Sequence, residues 1–304
     1  MSTTSSAAHP RVHPVTLVLL AVVSVQFGGA LAVTLLPLVG VVGSVTLRLT
    51  LATVMLWLFV RPRLRGRSRG DWMVVTVFGL VLTVMNLAFY ASLERLPIGV
   101  AATIEFLGPL TLAAALSRRG RDLAAVATAL SGVVLISQAL TTPWADLDQV
   151  GIALAGAAGV AWACYLTLSR RTGARFEGLD GIAIAMAIGA VLTLPFGLAT
   201  AGSDLWGADA LLRGLGIALL SSAIPYSLEL LALRALSSGT LGVLLSLEPA
   251  GAALAGLLVL GQVLAPLQLV GMALVVAASI LVLGRRVEPG QPGLAIDEGG
   301  PDLA

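Results

Sequence analysis

Ten apolar blocks of about 20 residues follow one another along this 304-residue chain, at roughly 15–36, 38–60, 72–93, 97–116, 123–140, 149–168, 181–201, 211–232, 239–260 and 264–283. A helix of about 20 residues crosses the hydrocarbon core of a bilayer. Inside that core every backbone polar group needs a partner within the protein, which leaves helices or closed barrels. The blocks show no alternation of apolar and polar residues, so a barrel does not fit. With 58% hydrophobic residues, 11% charged and a mean hydropathy of +0.98, too little charge remains to coat a soluble domain. The expected fold is an all-α membrane protein of ten transmembrane helices.

Residue types exclude several chemistries. All eighteen basic residues are arginine. Without lysine there is neither a Walker A loop nor a Schiff base. The two histidines, His9 and His13, precede the first span, so none reaches the membrane interior as ligand or base. The single cysteine, Cys164, excludes an intrachain disulfide and a cysteine metal cluster. No metal site, cofactor or enzymatic centre is expected, and the net charge of +2 carries no nucleic-acid meaning. Residues 15–36 are too long for a secretory apolar core and run into a second span, so they read as a retained first helix.

The arginines sort by loop. With the N-terminus inside, fifteen lie in cytoplasmic segments, and only Arg95 and Arg213 lie outside, beside Asp146, Asp148, Asp204 and Asp209. Such a bias sets orientation in bacterial membranes. Both termini are expected in the cytoplasm of a multi-pass protein of the bacterial plasma membrane. The run 61–69, with five arginines, reads as a topology anchor near anionic lipid. A shift of 140 residues lays Leu96, Gly99, Leu107, Pro109, Ala113 and Ala115 on Leu236, Gly239, Leu247, Pro249, Ala253 and Ala255. Ten spans then divide into two sets of five, and an odd number inverts the second set, a transporter signature with the site near midplane. The expected units are a tail at 1–14, repeats at 15–140 and 141–283, and a disordered, proline- and glycine-rich tail at 284–304.

Four ionisable residues fall well inside the spans: Arg48, Glu105, Glu229 and Glu248. Each costs roughly 2.5–3.5 kcal/mol at a helix centre, so each should face the protein interior with a partner or water. Arg48 directly neutralises one carboxylate at most, which makes at least one other acid a candidate proton carrier. In TIEFLGPL (103–110), Pro109 has no N–H for the Glu105 carbonyl. Two readings stand. The helix kinks and offers carbonyl and carboxylate to a wet cavity suited to an ammonium group. Alternatively, Glu105 and Arg48 form a structural pair beside a packing kink. Pro225 likewise frees the Ser221 carbonyl, and Tyr226 and Glu229 share a helix face three residues apart. Asn86 and Tyr90 share another, four apart. These polar residues fit either a substrate site or helix–helix glue. Glu248 stands directly before Pro249, about ten residues into its span, and is expected to be buried. Gln26 in the first span is a further candidate. Small residues at Gly181, Ala185 and Gly189 are expected to mark close helix contacts.

The segments SVQFGGALAVTLLPLVG (24–40), TLRLTLA (46–52), 85–110 and 224–262 resemble the threonine/homoserine exporters, which belong to the drug/metabolite transporter superfamily and are built from two EamA repeats. The resemblance runs from about residue 22 to 283. It implies an exporter of small amino acids in the inner membrane, an antiporter working by proton exchange and alternating access. Carried over, Arg48, Glu105 with Pro109, Tyr226 with Glu229, and Glu248 with Pro249 match its motif positions. Substrate binding falls to Gln26, Arg48, Asn86, Tyr90, Glu105, Tyr226 and Glu229, and proton coupling to Glu105, Glu229 and Glu248. The expected partners are an amino-acid substrate, protons and the lipid bilayer. One departure is Gln262, where many EamA repeats carry glutamate. The alternative cargo is another small metabolite or an apolar cation, against which the 5% aromatic content argues mildly.

Overall fold

The computed structural model describes residues 14–115, 120–136, 148–225, 228, 244–245 and 247–283. Among them, every regular element is helical. In chain order these are α1 (Pro14–Val60), α2 (Arg69–Leu93), α3 (Ile98–Ala115), α4 (Gly120–Ile136), α5 (Gln149–Gly173) and α6 (Asp180–Ala201). A short 3₁₀ turn, Gly202–Trp206, leads into α7 (Ala208–Ala218), which continues as a π-helical turn at Leu219–Ala223. Then come α8 (Glu248–Leu260) and α9 (Pro266–Leu283). Four described helices are long and apolar enough to cross a membrane: α1, α2, α5 and the segment Asp180–Trp206.

The 47 residues of α1 would measure about 70 Å as one straight rod, more than twice a bilayer core. Gly40 breaks it, with φ 66° and ψ −178°, a conformation that only glycine adopts without strain. The break falls at Gly40 rather than at Pro37, where the sequence pattern places it, because the helix accommodates Pro37 within its first piece. Outward faces carry Leu58, Phe59, Val191, Phe196 and Leu212, all exposed as a lipid-facing surface requires.

Apolar surface gives helices no reason to leave lipid for one another, so small residues do the packing. The Gly181–Ala185–Gly189 stripe of α6 behaves as expected. Thr172 and Phe176 close over Gly181, a Cβ on Gly79 of α2 would meet the Ala185 carbonyl at 2.9 Å, and Gly189 sits against Thr83 and Leu49. Gly132 of α4 and Gly271 of α9 meet backbone to backbone. A Cβ on either would come within 2.6 Å and 2.5 Å of the other's carbonyl.

Charged residues gather at the helix ends as the loop sorting groups them. At one end Asp180 is buried and accepts from the Arg63 N–H and the Arg67 guanidinium, both at 3.2 Å. Arg67 also lies 4.6 Å over the Phe176 ring and donates to the Arg175 carbonyl. Arg175 pairs with Asp71, whose own carboxylate closes a capping box with Ser68. Arg95–Asp148 and Arg213–Asp209 lie in the segments assigned to the other side. The Arg67 and Asp180 side chains are only 16% and 11% exposed. Removing the carboxylate strands a mostly buried cation, so Asp180→Ala should lose about 3 kcal/mol of stability. Thermal unfolding in detergent measures this, and Asp180→Asn, which retains an acceptor oxygen, should lose less.

Candidate functional site

Proline chemistry builds the centre of the site. Pro225 has no N–H to give to Ser221 in an α register or to Leu220 in a π register. The chain answers with the π turn, in which the Ile224 N–H reaches back to the Leu219 carbonyl. The two neighbouring carbonyls turn to α1 instead. Leu220 accepts from the Ser24 hydroxyl at 2.7 Å, and Ser221 accepts from the Arg48 guanidinium at 3.4 Å. Gly28, one turn beyond Ser24, leaves room for the Ser221 side chain, which a Cβ there would overlap. The first piece of α1 is therefore cut to fit the π turn.

Arg48 also donates to the Tyr90 hydroxyl at 3.3 Å, with its guanidinium carbon 5.7 Å from the centre of that ring. Tyr90 is fully buried in α2. Asn86, on the same face, donates to the Leu82 carbonyl of its own helix at 2.8 Å. Arg48 and Glu105 lie within electrostatic range of each other. Both keep partial solvent-accessible surface, although their chain neighbours Leu47, Leu49, Ile104 and Phe106 are buried. Three helices and the π turn thus bring together Arg48, Tyr90, Glu105 and the Ser221 carbonyl.

Helix α3 runs through Pro109 without a break. The Glu105 carbonyl faces Gly159 of α5, where a Cβ would come within 2.6 Å of its oxygen. A Cβ on Gly108 would overlap the Gly159 carbonyl. The carbonyl freed by Pro109 thus lies in a tight helix crossing. Gly159 allows it, because without a Cβ the two backbones can touch.

Glu248 is the first residue of α8 and is half-buried, rather than deep inside a continuous helix. The reason is local: Pro249 disfavours helical geometry in the residue before it and suits a helix start. Gln26 is buried against the Gly251 region of α8. Tyr226 and Glu229 lie outside the described residues. Gln262 has a clear task. Its side-chain oxygen accepts from the Ile98 N–H at 3.1 Å and so caps the start of α3, the helix that carries Glu105.

Sequence reasoning missed Ser24, Gly28, Gly159 and the Gln262 cap. The spacing of Ser24 and Gly28, small residues four apart, was the available signal for the first two. For Gln262, position just beyond a helix end carries no information about which distant N–H it meets.

Comparison with known proteins adds three findings. The model of the EamA-like transporter family matches residues 149–284. The threonine/homoserine exporter RhtA of Escherichia coli (strain K12) is 39% identical over 267 residues, which cover 88% of this chain and 90% of that protein. Its counterpart in Salmonella typhimurium (strain LT2) is 38% identical over the same span, and the inner membrane transporter YicL of that organism is 25% identical over 71% of this chain. Among solved structures, a crystal structure matches with a TM-score of 0.57 at 21% identity, covering 88% of this chain and 97% of that one. At such low identity that likeness concerns the fold alone.

Proposed function

Since the chain belongs to the EamA-like transporter family, in its threonine/homoserine exporter branch, we propose that it exports threonine- and homoserine-like amino acids across the bacterial inner membrane. The observation that carries this is the 39% identity to an amino-acid exporter across nearly the full length of both proteins. Family and relatives are transporters, not enzymes, which agrees with a chain that offers no nucleophile–base pair in its membrane interior.

Ten spans in two inverted repeats remain the reading of the architecture, with units at 15–140 and 141–283 and both termini in the cytoplasm. The family match over 149–284 covers the second unit. The Gly132–Gly271 contact supports the symmetry, because nearly equivalent positions of the two units meet there.

Arg48, with Tyr90 beside it, takes the carboxylate of the zwitterion, and Glu105 or Glu229 takes the ammonium. Asn86, Gln26 and Tyr226 complete the polar lining. Glu105, Glu229 and Glu248 are the candidate proton carriers. Protonation from outside releases the cargo, and deprotonation inside readies the site again, so that inward proton flow drives export by alternating access. The electrostatic coupling of Arg48 with Glu105 suits a ligand carrying both charges.

Purified protein in liposomes, loaded in turn with threonine, homoserine, a bulky amino acid and a cationic dye, tests this reading. Efflux of threonine and homoserine that rises with an inward proton gradient is the expected result. Efflux of the dye without that of the amino acids would overturn it.

A further inference from the structure

We propose that the Ser221 carbonyl and the carboxylate of the substrate compete for Arg48, so that only a ligand with a free α-carboxylate releases the π turn at Leu219–Ala223. This rests on the transport reading above and adds a trigger to it.

The geometry supports exchange. The Arg48 bonds to Ser221 and Tyr90, at 3.4 Å and 3.3 Å, sit at the long limit for a hydrogen bond. A carboxylate bonds a guanidinium at about 2.7–2.9 Å, often through two parallel bonds, and roughly twice as strongly as a neutral acceptor. A substrate carboxylate therefore outcompetes a peptide oxygen on the same cation. The peptide oxygen is itself available only because Pro225 withholds the N–H that would keep it in the helix.

Loss of Arg48 has a consequence for the turn. The Ser221 carbonyl is then a buried acceptor that has lost its partner, which destabilises the turn. The Ser221 and Ser222 hydroxyls are buried and have no hydrogen-bond partner among the described residues, so this turn already carries unmet polar groups. The relief is to rearrange. An α register offers Ser221 no N–H either, because Pro225 stands four residues on, so the turn opens and lets water reach the carbonyl. The chain beyond Pro225 carries Tyr226 and Glu229. Recognition of a carboxylate at Arg48 is thereby linked to the segment that bears a second acid. Ser24 and Gly28 of α1 hold the other side of the turn, so the movement is also felt by the first span.

Hydrogen exchange on the full-length wild-type chain in nanodiscs, together with a Pro225→Ala variant, tests this. L-Threonine should speed exchange at the amides of 219–224 several-fold, and L-threoninamide, which lacks the carboxylate, should not. Pro225→Ala gives Ser221 an N–H partner and removes the competitor. It should bind L-threonine about tenfold tighter yet turn over more slowly. A merely structural role for Pro225 would weaken binding and turnover together, and that result overturns the proposal. Exchange that ignores threonine, or responds equally to threoninamide, also overturns it. If Pro225→Ala does not fold, the wild-type exchange comparison decides alone. Wild-type liposomes that move no threonine fail the transport reading and this inference together. Liposomes that move threonine while the π turn stays indifferent overturn this inference only.

Discussion

Glu105→Gln should reduce proton-gradient-driven efflux of threonine by at least about a hundredfold, the scale of loss when a proton-transferring group is removed. The amide keeps the size and one acceptor oxygen of the carboxylate but takes up no proton at any working pH. The fold should persist, because the tight contact at this position is made by the Glu105 backbone against Gly159 and not by its side chain. The measurement is efflux from liposomes with and without an imposed pH difference. Flux in the variant should no longer respond to the gradient. Full gradient-driven efflux would mean that Glu229 or Glu248 carries the proton instead. The same variant also removes a negative charge near Arg48, so its thermal midpoint should be read alongside the flux.

Gly108→Ala should be the most damaging single methyl in the described structure. A Cβ at that position overlaps the Gly159 carbonyl, and the obstacle is backbone, which cannot rotate away. Overpacking of this kind costs about 1–3 kcal/mol where side chains yield, and about 3 kcal/mol or more is expected where they cannot. Separation of α3 from α5 would also displace Glu105, so transport should be lost with stability. Gly156→Ala on α5 is the matched control, since a Cβ there meets nothing within 4 Å. Thermal unfolding and size-exclusion profiles in detergent compare the two. Equal stability of both variants would refute the tight crossing.

The polar centre was partly legible in advance. Pro225 announced an orphaned Ser221 carbonyl, because the rule needs only the residue four positions back. Its partner was not legible, since Arg48 lies 173 residues away in sequence and no local pattern links them. Pro109 shows the reverse case. The same rule frees the Glu105 carbonyl, but the use made of it depends on Gly159, in a helix about 50 residues further on. Asn86 and Tyr90 were paired by spacing alone, yet they differ in use. Asn86 bonds its own helix, and Tyr90 accepts from Arg48.

By itself the sequence determined that this chain is helical and apolar enough for a membrane, and which few charged residues a bilayer would drive inward. Those properties follow from the cost of bare peptide groups and charges in lipid, which is paid residue by residue and can be summed along the chain. Only the tertiary structure decided which carbonyl meets which cation, which glycines touch, and that Gln262 caps the helix of Glu105. Such pairings depend on how helices cross. Crossing is set by the shape of small-residue faces far apart in sequence, and hydrophobicity, equal on both sides of a lipid-bathed helix, does not choose among them.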